Sequence, residues 1–156
     1  MKVDPGDLEY VGFWARTGAS LIDTVLVIVL VIPLMLMFVG QSYWNDTRMI
    51  KGGIGFLVEW ALPALAVVAF WVARGATPGK MAIGARIVDA STGGPPSIGQ
   101  LVGRWAAYYV SAIPICLGFV WVAFDARKQG WHDKLAHTVV VRPSKRGPEP
   151  VRFKSL

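Results

Sequence analysis

The sequence predicts an all-α integral membrane protein with two full transmembrane helices and a third apolar helical stretch that a proline breaks. Three apolar segments carry this prediction, at residues 14–39, 54–73 and 98–124. Each approaches or exceeds the roughly 20 residues that a helix needs to cross the hydrocarbon core. The mean hydropathy is +0.47 and 54% of the residues are hydrophobic, so a bilayer is the expected environment of the chain.

The first apolar segment contains a carboxylate at a depth where charge is costly. At about 1.5 Å per residue, Asp23 lies roughly 13 Å inside Trp14, near the middle of a bilayer. The cost of that charge is roughly 2.5–3.5 kcal/mol, and each Leu, Ile, Val or Phe between Leu21 and Val39 offsets about 0.3–0.6 kcal/mol of it. The helix is therefore expected to insert, with Asp23 facing a polar partner or a hydrated path.

Asp23 belongs to a polar stripe on its helix. Arg16, Ser20 and Asp23 are spaced four and three residues apart, so they share one helix face. The third segment offers a partner at matching depth, because Arg104 lies six residues, or about 9 Å, beyond the start of that segment. The sequence thus predicts an Asp23–Arg104 ion pair. Glu59, in the second segment, lies toward the opposite interface, where it either extends the polar network or reaches the headgroups.

Two β-prone runs follow the second and third segments. Residues 81–89 alternate apolar and other side chains before a Gly-Gly-Pro-Pro turn, and residues 138–142 read Thr-Val-Val-Val-Arg. Paired with each other, these runs form a small cytoplasmic sheet. The expected organisation is one membrane domain, residues 1–142, and a tail, residues 143–156, whose Pro, Lys and Arg content predicts disorder.

The sequence leaves two topologies open. Lys and Arg concentrate after residue 126, which predicts a cytoplasmic tail. If the third segment crosses fully, the second loop and the tail lie on opposite faces; if Pro114 divides it into two shallow re-entrant helices, both lie in the cytoplasm. Charge asymmetry and the strand pairing favour re-entry. Length argues the other way, because neither half reaches the roughly 17–25 residues of a span.

Other features favour ordinary structural roles. His132 and His137 are five residues apart, so they do not share a helix face as zinc-binding histidines do, and no metal or cofactor is expected. Cys116 lies in an apolar run and is expected to act as a small hydrophobic residue. The net charge of +6 is explained by a basic tail that binds anionic lipid, so nucleic acid is not an expected partner. No catalytic motif is present, so no enzyme is expected.

Three segments together carry a specific resemblance: residues 12–23, residues 77–89 and residues 124–141, the last containing Trp-His-Asp-Lys-Leu-Ala-His. They resemble the RDD family of small bacterial membrane proteins, which is named for one arginine and two aspartates. The resemblance implies a bacterial cytoplasmic (inner) membrane location and a suggested role in transport of unknown ligands. It assigns the name-giving positions to Arg16, Asp23 and Asp133.

Two functions are expected from these observations. The first is transport of an unknown ion or small ligand, along a path between the subunits of a homo-oligomer, since so few helices enclose a path poorly. The alternative is a non-catalytic membrane scaffold or assembly factor that uses the same charges structurally and binds a membrane protein partner. In either case the polar network consists of Arg16, Ser20, Asp23, Arg104, Asp133 and Glu59.

Overall fold

The computed structural model describes residues 7–33, 37, 45, 47 and 56–144, without the side chains of residues 30, 31, 58 and 59. The helices within these residues are, in chain order, α1 (Phe13–Leu26), α2 (Leu62–Arg74), α3 (Pro78–Ala82), α4 (Ile98–Ala112), α5 (Leu117–Val120) and α6 (Trp131–Leu135). The strands are β1 (Leu8–Tyr10), β2 (Arg86–Asp89) and β3 (Thr138–Pro143). The described part of the chain is therefore mostly helical, with one small sheet.

Helix α1 presents apolar side chains outward along its second half. It continues as a π-helical turn, Val27–Val31. Within α1 the hydroxyls of Thr17 and Thr24 donate to carbonyl oxygens four residues earlier, so they are satisfied inside the helix. Contiguous exposed apolar surface of this kind is rare on soluble monomers and suits a lipid environment. The exposed apolar residues are Leu21, Ile22, Val25, Leu26, Val27, Ile28 and Val29.

One or two described helices qualify as membrane spans by length and composition. The stretch Leu62–Ala82, which contains α2 and α3, has 21 residues and is long and apolar enough to cross a membrane. Helix α4 and the segment Leu117–Ala123 qualify together if they form one broken span. The sequence predicted two full spans and a broken third, so the fold agrees with that prediction in its coarse form.

The third apolar segment breaks at Pro114, as the sequence predicted. Helix α4 ends at Ala112, and Ile115 and Cys116 then take left-handed backbone conformations with φ of 50° and 59°. A proline cannot continue the helical hydrogen-bond ladder, and a left-handed residue reverses the chain direction. The helices on either side of the break are inclined at 111°. The break is therefore a sharp turn.

The sheet has the strand order β1-β3-β2, and both pairings are antiparallel. Ile87 lies opposite Val140, and Tyr10 lies opposite Val141. The predicted pairing of the two β-prone runs is confirmed. The first run is shorter than predicted, because Thr77 and Pro78 begin a helix: a proline in the first turn loses no hydrogen bond and has its φ already set. Met81 therefore lies in α3.

The ends of the sheet also differ from the sequence prediction. Strand β1 was not predicted, because three residues are too few to give an alternating pattern. Strand β3 reaches Pro143, the first residue of the predicted disordered tail. The remainder of that tail, residues 145–156, lies outside the described residues.

Both faces of the sheet are covered. On one face Leu8, Val88, Ala90, Val139 and Val141 form a buried cluster. On the other face Ile87 and Val140 pack against Trp71 of α2 and Leu101 of α4. The alternation of β3 between the two clusters follows from the two-residue repeat of a strand. Helices α2 and α4 are thereby held against a single sheet.

Candidate functional site

Asp133 is the centre of a buried charge network. Its side chain is 0% exposed. Oδ2 accepts hydrogen bonds from Arg16 Nη1 at 2.5 Å and from the backbone N–H of Gly130 at 2.9 Å, and Oδ1 accepts from Arg104 Nη1. One carboxylate thus joins α1, α4 and the start of α6.

Local sequence explains why Asp133 faces inward. It is the third residue of α6, and its side chain accepts from the backbone N–H of the residue preceding the helix, as the acidic residue of a capping box does. Gly130 fits there because it has no side chain: a Cβ would lie 2.6 Å from His132 Cε1 and 2.9 Å from the Gly118 carbonyl oxygen. The glycine therefore allows α6 to begin against α5.

Arg104 supplies the more deeply buried of the two cations, with 1% of its surface exposed. Besides Asp133, its Nη1 donates to Thr138 Oγ1 at 2.7 Å. Its guanidinium carbon lies 5.4 Å from the ring centroid of Trp71 and 5.9 Å from that of Tyr108, so two aromatic faces also stabilise the charge. Its Nε has no hydrogen-bond partner within the part of the chain that the structure describes.

Arg16 joins segments that are distant in sequence. Its Nε donates to the Val11 carbonyl at 2.9 Å, and its Nη2 donates to the Lys128 carbonyl at 2.5 Å. With the Asp133 contact, a single guanidinium satisfies three acceptors from three segments, and its side chain is 11% exposed. The planar fork of arginine, with five donors, is suited to such a junction.

The ionisation states around Asp133 follow from burial and charge. Burial alone would raise the pKa of Asp133, but the guanidiniums of Arg104 and Arg16 outweigh it and hold this pKa well below its ordinary value. Burial lowers the pKa of His132 to about 3; Asp133 opposes this shift, and Arg104 and Arg16 add to it. At neutral pH the site therefore holds two cations, one carboxylate and a neutral histidine.

Ser111 fixes the orientation of that histidine. The His132 backbone N–H donates to Ser111 Oγ at 3.1 Å, and the same oxygen lies 3.1 Å from His132 Nδ1. The imidazole also lies edge-on to the Tyr108 ring, with centroids 4.6 Å apart. Helix α6 is thus attached to the end of α4 as well as to its middle.

Asp23 lies in a second cluster, and the predicted Asp23–Arg104 pair is wrong. Its Oδ2 accepts from Thr77 Oγ1 and its Oδ1 accepts from the Gly79 backbone N–H, both at 2.6 Å. The first N–H groups of a helix have no intrahelical partner, so the start of α3 is a natural donor for a carboxylate. Arg104 is instead bound by Asp133.

Glycine makes the contact between α1 and α3 possible. A Cβ on Gly79 would overlap the carbonyl oxygen of Ala19. The small-residue face of α1 therefore packs on α3, and α1 and α3 make one of the most extensive contacts in the fold. Lys80, which the sequence reasoning did not select, is buried beside this contact, with Nζ 3.5 Å from Thr77 Oγ1.

Ser20 and Glu59 complete the set of residues predicted for the site, and four further residues of the site were missed. Ser20 is exposed on α1, and the side chain of Glu59 lies outside the described residues. Gly130, His132, Thr138 and Ser111 were not predicted as part of the site. The nearest sequence signal was the run Gly-Trp-His-Asp, and nothing in the sequence marked Ser111. Over residues 7–33 and 56–144, no group of His, Cys, Asp and Glu side chains is arranged to hold a metal ion.

These features describe a helical chain with one or two candidate membrane spans, in which an arginine of the first helix and an aspartate near the end of the chain meet beside a small sheet. Residues 10–137 match the RDD family, and the chain belongs to that family. Membership suggests a membrane protein. The match includes Arg16, Asp23 and Asp133.

Similar proteins are found in bacteria, and their names record no activity. The chain is 37% identical over 75 residues to an uncharacterized protein of Rickettsia prowazekii, covering 48% of this chain and 41% of that protein. It is 32% identical over 111 residues to a proline-rich antigen homolog of Mycobacterium tuberculosis, covering 66% and 44%. The chain thus spans less than half the length of these relatives. No solved structure matches it.

Proposed function

We propose that this chain is a non-catalytic membrane scaffold whose buried charges fasten its helices to the sheet. The observation that carries the proposal is the saturation of Asp133, whose two oxygens are occupied by Arg16, Arg104 and Gly130. Groups that bind and release an ion need access to water, and Asp133 and Arg104 have at most 1% of their surface exposed. Charges held in this way define an arrangement of helices.

The proposed membrane topology has two crossings between β1 and β2. Strand β1 precedes α1 and β2 follows α3, yet both belong to one sheet. The chain must therefore leave the sheet through α1 and return through α2. Basic residues favour the cytoplasmic side. We therefore propose that the sheet, α6 and the segment before it lie in the bacterial cytoplasm, at the inner membrane, with the following basic residues: Arg127, Lys128, Lys134 and Arg142.

The surfaces left over by this arrangement define the proposed partners. The exposed apolar residues of α1 face lipid, a second copy of the chain or another membrane protein. The basic tail, residues 143–156, is proposed to bind anionic lipid on the cytoplasmic leaflet. A scaffold therefore needs only to hold these surfaces in fixed positions, and the Asp133 network does this.

Transport is the second candidate, because Asp23 differs from Asp133 in one respect. Asp23 is only partly buried, and the described residues that bind its carboxylate are neutral donors, Thr77 and Gly79. Lys80 lies next to Thr77. A partly buried carboxylate with neutral partners is a candidate site for binding a cation.

Flux measurements on proteoliposomes discriminate the two functions. The purified protein and its Asp23→Asn variant are reconstituted, and proton, Na⁺, K⁺ and Cl⁻ fluxes are followed under an imposed gradient. Glu9→Gln serves as control, since Glu9 forms a partly exposed ion pair with Arg142 away from Asp23. The scaffold function predicts the background flux of empty vesicles for all three proteins. A flux that Asp23→Asn abolishes, with unchanged thermal stability, establishes transport instead.

A further inference from the structure

We infer that residues 98–123 form a hairpin that inserts into the leaflet next to the sheet and returns to the same face, with lipid hydrocarbon as the partner of its tip. This hairpin consists of α4, the turn at Pro114 and the segment Leu117–Ala123. The inference rests on the proposed location of the sheet on one side of the membrane, and it adds a lipid-binding surface to the proposed scaffold.

Both ends of the hairpin are fixed to the same sheet. Strand β2 ends before it and strand β3 begins after it, and Asp89 lies opposite Thr138 in the β2–β3 pairing. The Arg127 Nη2 group, which follows the hairpin, donates to the carbonyl of Ala90, which precedes it, at 2.7 Å. A segment whose two ends are hydrogen-bonded to each other begins and ends on one side of the bilayer.

Each arm is too short to cross. The sequence argument counted this shortness against re-entry, but because both ends of the segment lie at one sheet, short arms favour a hairpin that does not cross. Helix α4 has 15 residues, or about 22 Å, and Leu117–Ala123 has seven, or about 10 Å, whereas the hydrocarbon core is about 30 Å thick. The two arms also touch, because a Cβ on Gly118 would lie 2.5 Å from Ser111 Cα. A pair of short arms packed together at a sharp bend is a hairpin, and a single span with a kink would need a longer second arm.

The second arm returns quickly to charged residues. Asp125 forms an ion pair with Lys134 at 2.5 Å, and Lys134 Nζ lies 5.6 Å from the Trp121 ring centroid. Asp125 follows the turn at Cys116 by fewer than ten residues. The turn is therefore within about 15 Å of a charged, water-facing layer, a depth inside one leaflet.

The chemistry of the tip matches hydrocarbon. Ile113 is 82% exposed and Ile115 is 90% exposed, and Leu117 at the start of the second arm is also exposed. Trp121 lies farther along the second arm, next to Lys134, and aromatic and basic side chains are the pair that meets interfacial headgroups in membrane proteins. An apolar tip with an aromatic and basic border is the pattern of a segment that inserts from the interface, so we assign lipid as its occupant.

Cysteine accessibility tests the two ends of the hairpin. In a Cys116→Ser background, Thr92→Cys and Ala126→Cys place single thiols on exposed residues before and after it, and Asn45→Cys places one in the loop after the first helix. Right-side-out and inverted vesicles are treated with a membrane-impermeant maleimide. The inference predicts that residues 92 and 126 are labelled from the same side and residue 45 from the opposite side. Labelling of residues 92 and 126 from opposite sides overturns it.

The depth of the tip is measured with the natural cysteine. Cys116 is the single cysteine of the chain and lies in the turn. With a fluorophore attached there in detergent, the reconstituted protein is quenched by lipids that carry nitroxides at shallow or deep acyl positions. Insertion is supported if both nitroxide lipids quench the label on Cys116 more strongly than they quench a label on residue 92. Equal quenching of the two labels places the tip in water and overturns the lipid assignment.

These outcomes are distinct from failure of the scaffold function. Labelling of residue 45 on the same side as residue 92 contradicts the two proposed crossings and thus the premise of the hairpin. A transport flux abolished by Asp23→Asn contradicts the scaffold but leaves the labelling results unchanged. Each experiment therefore tests its own claim.

Discussion

Arg16 and Asp133 are 117 positions apart in sequence and form a 2.5 Å ion pair beside the sheet. The pair joins the first residues of α1 to the helix that immediately precedes the last strand. Because Asp133 also binds Arg104 of α4, the network determines how three helices meet. Arg16 and Asp133, which the resemblance assigns to two name-giving positions of the RDD family, thus have a common structural role in this chain.

Asp133→Asn is expected to destabilise the fold strongly. The variant leaves two buried guanidiniums without a carboxylate, and breaking one side of a buried ion pair costs about 3–5 kcal/mol. The measurement is the free energy of unfolding in detergent micelles. Glu9→Gln removes a carboxylate from the partly exposed pair with Arg142 and is expected to cost less than about 1 kcal/mol. Equal losses for the two variants would count against a special role of Asp133.

Arg16→Lys is expected to be a damaging substitution although it keeps the charge. Arg16 donates to the Val11 carbonyl, the Lys128 carbonyl and Asp133 at once, and an ammonium cannot reach all three. Loss of one or two of these hydrogen bonds costs about 1–3 kcal/mol. Arg142→Lys is the matched control, because Arg142 binds the Glu9 carboxylate through Nε. A Tm for Arg16→Lys equal to that of the control would remove this explanation.

Gly79→Ala is expected to separate α1 from α3. Its Cβ would overlap the Ala19 carbonyl oxygen, and an added methyl in a packed contact costs about 1–3 kcal/mol or more. Gly18→Ala is the control on α1, because a Cβ there meets no atom within 4 Å and alanine favours the helix by about 0.5–1 kcal/mol. The two variants should shift Tm in opposite directions, and a stable Gly79→Ala protein would contradict the close contact.

The stability of the protein is expected to fall with acidification through the titration of His132. Burial lowers the pKa of His132 from 6.5 to about 3, so the folded state binds fewer protons than the unfolded state over this range. Each pH unit between about pH 6 and pH 4 should then cost about 1.4 kcal/mol of unfolding free energy. The lowered pKa of Asp133 adds a loss in the same direction only below about pH 4.

His132→Asn isolates this contribution. An asparagine side chain reaches the position of the Nδ1 atom that contacts Ser111, and it does not titrate. Its unfolding free energy should depend much less on pH between about pH 6 and pH 4. An unchanged slope in the variant would show that another group causes the pH dependence.

Part of the fold was predictable from local sequence. The apolar segments, the break at Pro114 and the pairing of residues 86–89 with β3 each depend on a short pattern with a direct physical cause. Strand β1 was missed because its three residues gain their conformation from pairing with β3. The last two residues of α3, Met81 and Ala82, were assigned to a strand because alternation was given more weight than the Thr-Pro start.

The sequence predicted the charged residues of the Asp133 network and Asp23, but it did not predict which residues they bind. Arg16, Asp23, Arg104 and Asp133 were all selected, but Asp23 was paired with Arg104 by depth alone. Two residues at the same depth on separate helices need not be in contact, because another element can lie between the helices. In the structure α3 lies against α1 and supplies the partners of Asp23, and α6 brings Asp133 to Arg104.

The coupling free energy between Arg16 and Asp133 tests the central claim most directly. Unfolding free energies of the parent, Arg16→Met, Asp133→Asn and the double variant form a double-mutant cycle in detergent micelles. A structural ion pair predicts a coupling of about 1–3 kcal/mol. Additive losses, with a coupling within about 0.3 kcal/mol of zero in four folded proteins, would contradict the account.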